Sequence, residues 1–196
     1  MDIWTAIRTR RSIGVMKPDP VPQKMIEQLL EAAVWAPCHH MTEPWRFFVL
    51  TGEGRRPLAR TLVEIAREKM ADPKTDENRA KLAKEEQKPF RAPVVIAVAV
   101  SPSDDPKVEM VEELAAVHAA VQNMLLAARA MGLGAIWRTG MPCYHPKMKK
   151  LFGLGEKEQL VGFVYVGYPA IDAPVKKRTP ASEKTRWIDK DEPYHK

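Results

Sequence analysis

The chain contains few of the residues that build metal centres and disulfide frameworks. Its 196 residues include two cysteines and five histidines, and none of them form a CxxC, HxxxH or HExxH pattern. Two cysteines cannot form a disulfide framework, and a chain of this length can bury a full hydrophobic core without one. The sequence therefore predicts reduced thiols and no structural or catalytic metal site.

Long apolar runs and phosphate-binding glycine loops are also missing. The longest apolar stretch, residues 93–100, is far shorter than the roughly 20 residues that cross a bilayer, so we expect no membrane partner. There is no GxxxxGK[ST] loop, and Gly52-Glu-Gly54 lacks the third glycine of a dinucleotide fingerprint. A nucleotide would have to be held by side chains. Because no secretion signal is evident, we expect the protein to be cytoplasmic.

The positive charge of the chain is concentrated in two places. The formal net charge is +6, and basic residues cluster at 8–11 and again at 176–186. Nucleic-acid binders usually carry a continuous basic stripe with aromatic residues between the charges, and this chain has none, so we expect no nucleic-acid partner. Two separate clusters fit better with one small anion, such as a phosphate, held by converging parts of the chain.

Helical and strand patterns alternate along the sequence, which predicts an α+β fold with a central mixed sheet packed by helices. We expect residues 1–169 to form one domain. The tail, 170–196, is polar and has no core of its own, so we expect it to pack on a partner subunit in an intertwined homodimer. The predicted helices cover 2–10, 22–36, 55–70, 106–131 and 145–152, the predicted strands cover 46–51, 93–100, 135–139 and 160–169, and residues 72–90 form a solvated helix or a lid.

Residues 35–48, WAPCHHMTEPWRFF, could be a metal site, a nucleophile beside its base, or the wall of a pocket for a flat ligand. Adjacent residues of an extended segment point to opposite sides, so Cys38, His39 and His40 cannot all face one ion. A Cys–His catalytic pair would need an orienting third group, and none is evident. Proline-stiffened backbone and aromatic side chains suit the wall of a pocket.

The tripeptide Arg10-Arg11-Ser12 stands immediately before a turn rich in proline. Two forked guanidinium donors and a hydroxyl make a good cradle for a phosphate. The alternative is a basic helix end, where cations interact favourably with the helix dipole.

Five stretches resemble, in order, the landmarks of the nitroreductase family: RRSIGVMKPDPVP, APCHHMTEPWRFFVL, PFRAPVVIAVAV, AARAMGLGAIWRTG and VGFVYVGYP. The resemblance covers residues 1–169 and is strongest to the short members that carry a Trp-Arg-Ser/Thr triplet after the long helix. It implies a nitroreductase-like fold and an FMN-dependent oxidoreductase. It also implies an intertwined homodimer with two flavins at the interface, where residues 35–48 wall the flavin pocket.

By the same resemblance, Arg10, Arg11 and Ser12 match the motif that holds the phosphate, ribityl chain and ring edge of the flavin. Trp35 and His39 match positions that approach the cofactor, with His39 reaching it from the partner subunit.

Three further matches lie after the long helix. Trp137, Arg138 and Thr139 match a second strand end that contacts the cofactor. Arg186, in EKTRW, resembles the basic ending that reaches the FMN phosphate in many relatives. The chain departs from the family at Gly14, where many relatives carry an arginine or lysine that would stabilise the anionic reduced flavin.

The implied reaction is a ping-pong transfer of electrons from NADH or NADPH, through FMN, to a nitroaromatic, a quinone or a similar electron-poor acceptor. The flavin would carry the chemistry, and no side chain is expected to act as an essential acid or base. Two alternatives remain open at this point. One is a specialised flavoenzyme on the same scaffold, such as a dehalogenase or a flavin-processing enzyme, and the other is a non-enzymatic flavin-binding module.

Overall fold

A computed structural model describes residues 1–174, 177–189 and 191. Its helices and strands follow the predicted order, and the α+β class is confirmed. The ten main elements are α1 (Ile3–Thr9), α2 (Gln23–Val34), β1 (Trp45–Thr51), α3 (Arg56–Arg67), α4 (Asp76–Gln87), β2 (Val94–Val100), α5 (Met110–Ala130), β3 (Gly134–Arg138), α6 (Pro146–Leu151) and β4 (Gln159–Gly167).

The four strands form one sheet in the order β1-β2-β4-β3, and each pair of neighbours is antiparallel. The sheet is therefore antiparallel and not the mixed sheet that the sequence had predicted. The helix α5 does join two strands that run in the same direction, β2 and β3, but β4 lies between them and is antiparallel to both. The parallel pairing found in the described residues is an isolated bridge between Ser12 and Ala135, at the outer edge of β3.

Helices cover both faces of the sheet. On one face α2 and α5 pack against alternate residues of the strands, and on the other face α3 and α6 do the same. The central strand β2 is buried along its whole length, as its continuous β-branched run predicted. The strand β3 is at the edge of the sheet, so one side of its backbone is available to other parts of the chain or to a ligand.

The longest helix, α5, spans 21 residues and has a stripe of small and apolar side chains turned into the core. Each end of α5 is tied to a different region. At its carboxyl end the Arg129 Nε donates a hydrogen bond to the Thr9 hydroxyl at 2.9 Å, at the end of α1. At its amino end, Glu112 and Glu113 lie next to the turn that contains His39.

The charged segment 72–90, predicted as a solvated helix or a lid, contains a solvated helix, α4. The Thr75 hydroxyl caps α4 by accepting a hydrogen bond from the Asn78 backbone N–H, and Leu82 is the buried residue of this helix. A 3₁₀ turn, Lys88–Arg91, follows α4 and carries the chain into β2. Within the described ranges, no helix is long and apolar enough to cross a membrane.

Candidate functional site

The segment after α1 lies along the free edge of β3. The Ile13 backbone N–H donates to the Ala135 carbonyl at 3.0 Å, and Ser12 forms the isolated bridge with the same residue. These contacts place Arg10, Arg11 and Ser12 beside the start of the strand. The sequence-predicted phosphate motif is thus brought next to the strand that carries Trp137 and Arg138.

The two arginines of this motif differ in their contacts. Arg11 donates hydrogen bonds to the backbone carbonyls of Pro174, Arg8 and Arg10, at 3.2, 2.8 and 2.7 Å. Arg10 is half-buried, and its guanidinium has no hydrogen-bond or carboxylate partner in the part of the chain that the structure describes. Burial lowers the pKa of the Arg10 guanidinium, and the nearby charges of Arg11 and Arg178 lower it further. Arg10 is therefore a partly desolvated cation that an anionic ligand would stabilise.

At the other end of β3, two buried nitrogen atoms have no hydrogen-bond acceptor among the described residues: the Trp137 Nε1 and the Arg138 Nε. The Trp137 ring lies 5.4 Å from the His118 ring, between centroids, on the α5 side of the sheet. It packs directly over Gly162, where a Cβ would overlap the indole. Such orphaned donors are rare in folded proteins, and each calls for an acceptor from outside the chain, such as a water molecule or a ligand.

Arg138 points to the opposite face of the sheet, into a cleft of about 350 Å³ that lies between β3, α3 and the Lys88–Arg91 turn. Its guanidinium carbon lies 5.5 Å from the centre of the Tyr165 ring. Burial raises the pKa of the Tyr165 hydroxyl, and the charges of Arg138 and Arg91 partly oppose this effect. The residues lining the cleft are Leu58, Leu62, Lys88, Arg91, Ile136, Trp137, Arg138, Thr139, Pro142, Cys143, Phe163 and Tyr165.

The cysteine in this cleft is not suited to nucleophilic chemistry. Cys143 is buried, and desolvation raises the pKa of its thiol to about 12. The thiolate is the reactive form of cysteine, so a thiol with this pKa is inert at neutral pH. In the described parts of the chain there is also no group of three or more histidine, cysteine or acidic side chains that could hold a metal ion.

The remaining predicted residues lie elsewhere. Trp35 ends α2 and is 78% exposed, and its Nε1 donates to the Glu31 carboxylate at 3.1 Å. The exposed His39 ring has its Nε2 4.0 Å from a carboxylate oxygen of Glu112. Arg186 lies in the exposed tail, just after a short 3₁₀ helix over Ala181–Lys184.

The backbone beside His39 is strained. His40, Met41 and Glu43 have φ angles of 55°, 55° and 48°, in the left-handed region that residues other than glycine rarely adopt. Each such residue costs of order 1–3 kcal/mol, and strain of this kind is common at ligand-binding sites. The surrounding structure must therefore hold this turn in place.

Glu113 holds the turn in place through hydrogen bonds, and it was not among the site residues predicted from the sequence. The residue is 1% exposed, and its carboxylate accepts hydrogen bonds from the Thr42 hydroxyl at 2.5 Å and from the Ser103 backbone N–H at 3.0 Å. A signal was present, because Glu113 is an acidic residue on the same helical stripe as the buried Ala116 and Val117. A buried acid on an apolar stripe needs specific partners.

Within one protomer the predicted site is divided. Arg10 lies near Arg129, whereas His39 lies near Glu112, and these two positions on α5 are about 25 Å apart at 1.5 Å of rise per residue. The structure therefore brings Arg10–Ser12 to the strand of Trp137–Thr139, but it does not bring His39 to Arg10. One ligand could contact both only if a second chain supplied one of them.

Comparison with known proteins agrees with these observations. The profile of the Nitroreductase family matches residues 7–168. The Bacillus subtilis protein YfhC, assigned as a candidate NAD(P)H nitroreductase, is 34% identical over 91% of this chain and 90% of its own length.

Two solved structures share the fold over nearly the whole chain. A nitroreductase-like family protein from Bacillus cereus superimposes with a TM-score of 0.82 at 30% identity, covering 96% of this chain and 97% of its own. A candidate nitroreductase from Desulfovibrio desulfuricans, solved in complex with FMN, has a TM-score of 0.70 at 26% identity and covers 96% of this chain and 98% of its own.

Proposed function

The chain belongs to the nitroreductase family, and on this basis we propose that it is an FMN-dependent oxidoreductase that passes electrons from NAD(P)H to nitroaromatic, quinone or similar electron-poor acceptors. The observation that carries the proposal is a set of polar groups at the two ends of β3 that lack partners in the described part of the chain. Arg10 has no hydrogen bond or ion pair near the start of the strand, and at its end the Trp137 Nε1, over Gly162, and the Arg138 Nε, on the opposite face, have no acceptor. FMN offers a phosphate at one end and a ring with hydrogen-bond acceptors at the other.

The donors are spaced along a strand that rises about 13 Å from Gly134 to Arg138. In our assignment Arg10 binds the phosphate, because its charge is half-buried and unpaired. Ser12 contacts the ribityl chain, and the ring meets the strand end Trp137–Thr139, where the Trp137 and Arg138 side chains leave the sheet on opposite faces. Arg11 already donates to three carbonyl groups, so its contribution is to hold the start of the tail against this segment and to add positive potential.

A second copy of the chain completes the site in this proposal. Antiparallel packing of two α5 helices about a twofold axis places the His39 turn of one protomer beside the Arg10 end of the other. Large apolar side chains stay exposed on α1, at the end of α2 and at the start of α5: Ile3, Trp4, Ile7, Val34, Trp35 and Val111. Exposed apolar surface of this kind suits burial between subunits. We assign Arg186 of the tail a supporting contact with the FMN phosphate.

Bound FMN would supply the redox chemistry that links hydride from NAD(P)H to reduction of the acceptor. The side chains of this protein bind, orient and exclude water. Trp35 and the His39 turn of the partner subunit form a wall of the pocket, and the end of β3 holds the other side. NAD(P)H and the acceptor would occupy the same space in turn, which predicts ping-pong kinetics. No side chain is assigned a proton-transfer step.

The test begins with the purified protein. Heat should release a yellow cofactor with the mass of FMN, and anaerobic NADH or NADPH should bleach the bound flavin. Addition of menadione or nitrofurazone should restore the colour. Recovery of FAD, or of no flavin after incubation with FMN, would contradict the cofactor assignment. Bound FMN that neither nicotinamide reduces would favour a flavin-binding module instead.

A further inference from the structure

We propose that the cleft between β3, α3 and the Lys88–Arg91 turn is an anion-binding subsite with Arg138 at its centre. The ligand class is a delocalised anion carried on a flat aromatic ring. This inference rests on the proposed function for its biological role, but the binding itself can be measured without FMN. The family resemblance assigned Trp137, Arg138 and Thr139 of this cleft to contact with the cofactor, and it assigned no residue of the cleft to the selection of an anion.

Packing, rather than an ion pair, holds Arg138 in place. Its guanidinium lies over the Tyr165 ring, and one terminal nitrogen lies 3.0 Å from the point where a Cβ on Gly14 would stand. A side chain at position 14 would therefore push the guanidinium away. Within the described residues, no carboxylate pairs with Arg138, and its buried Nε has no acceptor.

An unpaired guanidinium in this environment requires compensation. The floor of the cleft is formed by apolar side chains of Leu58, Leu62, Ile136 and Phe163. Arginine stays protonated at any physiological pH, so it cannot lose its charge as a buried lysine can. A partly desolvated charge is costly unless an opposite charge or a hydrogen-bond acceptor meets it. An anionic ligand would supply both, while its ring would cover the apolar floor.

The other charges around the cleft add to this potential. Arg91 lines the cleft and has no ion-pair partner among the described residues, whereas Lys88 is paired with Glu85 at 2.5 Å. No acidic side chain belongs to the lining itself. The charged side chains of the lining are therefore all basic, with Glu85 opposing them from beside Lys88, and this balance favours anions over cations.

Two sources could provide the anion. One is a carboxylate or phenolate on an aromatic electron acceptor, and the other is the ring of the reduced flavin, which is negatively charged. The chemistry that Arg138 recognises is the same in both cases. The experiment below separates the two sources.

The first arm uses the apo-protein and two probes of similar shape, 4-nitrobenzoate and neutral 4-nitrotoluene, with binding measured by tryptophan fluorescence and calorimetry. The wild-type protein should prefer the anion. Arg138→Met, which keeps an unbranched apolar stem but removes the guanidinium and its charge, should weaken 4-nitrobenzoate binding about 10- to 100-fold, as expected for a charge-assisted contact. Binding of 4-nitrotoluene should stay unchanged. Arg60→Met, on the exposed surface of α3, is the matched control and should alter neither.

The second arm uses the protein reconstituted with FMN. If the acceptor is the source, 4-nitrobenzoate binding persists in the reconstituted protein and depends on Arg138. If the reduced flavin is the source, FMN blocks 4-nitrobenzoate, and Arg138→Met lowers the midpoint potential. A 10- to 100-fold loss of preference for the reduced form corresponds to about 30–60 mV for a two-electron couple.

Gly14→Ala provides an independent variant, because it displaces the guanidinium without removing it. It should reduce anion binding in the same direction but by less, and a thermal melt of each variant checks the fold. Equal responses of the two probes to Arg138→Met, together with an unchanged midpoint potential, would overturn the proposal. Charge-selective binding by an apo-protein that never takes up FMN would keep the subsite and refute the proposed function.

Discussion

The two ends of α5 differ in how they are built. At the carboxyl end, Arg10 is a half-buried cation with no hydrogen bond or ion pair among the described residues, in a groove that Arg129 and Asp172 also line. At the amino end, the buried carboxylate of Glu113 has its hydrogen bonds made and fixes a strained turn that presents His39. The carboxyl end therefore presents a cation that could bind an anionic ligand, and the amino end presents a turn that hydrogen bonds hold in one conformation. Neither end is a complete site, which is why the functional unit that we propose contains two chains.

The largest expected effect comes from mixing two defective chains. If Arg10 and His39 of different protomers share one flavin, a heterodimer of an Arg10→Ala chain with a His39→Ala chain contains one intact site and one doubly defective site. FMN content should then rise from near zero in either homodimer, at a limiting FMN concentration, to about half of the wild-type value. If both residues act within one chain, every site keeps a defect and no recovery occurs. Differently tagged chains, purified as heterodimers, allow this measurement.

The second prediction concerns the cationic end by itself. Arg10→Ala should raise the dissociation constant for FMN about 10- to 100-fold, because a charge-assisted hydrogen bond contributes roughly 1.5–3 kcal/mol. Arg10→Lys should restore only part of the affinity, since the planar fork is lost. Flavin fluorescence during titration of the apo-protein provides the measurement.

A thermal melt of the apo-protein separates loss of binding from loss of stability. Removal of an unpaired cation should leave the apo-protein at least as stable as the wild type. An Arg10→Ala variant that folds normally and binds FMN as tightly as the wild type would remove the phosphate assignment.

The third and smallest effect concerns the rigid end. Glu113→Gln keeps the size of the side chain but weakens two hydrogen bonds to a buried carboxylate, so the free energy of unfolding should fall by about 1–3 kcal/mol. FMN affinity should fall by a few-fold only, because the His39 turn is loosened but not removed. Urea denaturation and FMN titration measure the two quantities.

Thr42→Val is the matched partner of this variant. In a double-mutant cycle the effects of Thr42→Val and Glu113→Gln should be less than additive, because both remove the same hydrogen bond. Fully additive effects would show that the turn is held by something other than this contact.

Much of the fold could be predicted from local pattern. The β-branched run at 93–100, the capping Asp2, and the periodic apolar residues of α2 and α5 identified their elements to within a few residues. Strand direction could not be predicted in the same way. A helix between two strands predicts a parallel pair only if the two strands are neighbours, and here β4 separates β2 from β3.

For the candidate site residues, too, local sequence predicted some features and not others. The composition of residues 8–12 predicts an anion site, because charge and donor geometry are properties of the side chains themselves. The strain at His40, the burial of Glu113 and the closeness of Arg138 to Gly14 involve positions far apart in sequence. The strain and the Arg138–Gly14 contact leave no trace in periodicity or local composition. The stripe that Glu113 shares with Ala116 and Val117 predicts its burial but not its hydrogen-bond partners.

By itself, the sequence determined which segments become helices and strands, where positive charge is concentrated and which metal and phosphate motifs are excluded. These follow from short-range physics: backbone preference, apolar periodicity and side-chain chemistry. Only the tertiary structure decided that Arg10 and His39 lie at opposite ends of α5. It also decided that the Arg138 guanidinium lies next to Gly14, in a cleft lined by basic side chains. Those relations depend on how elements pack, and packing is set by the summed contacts of many distant residues.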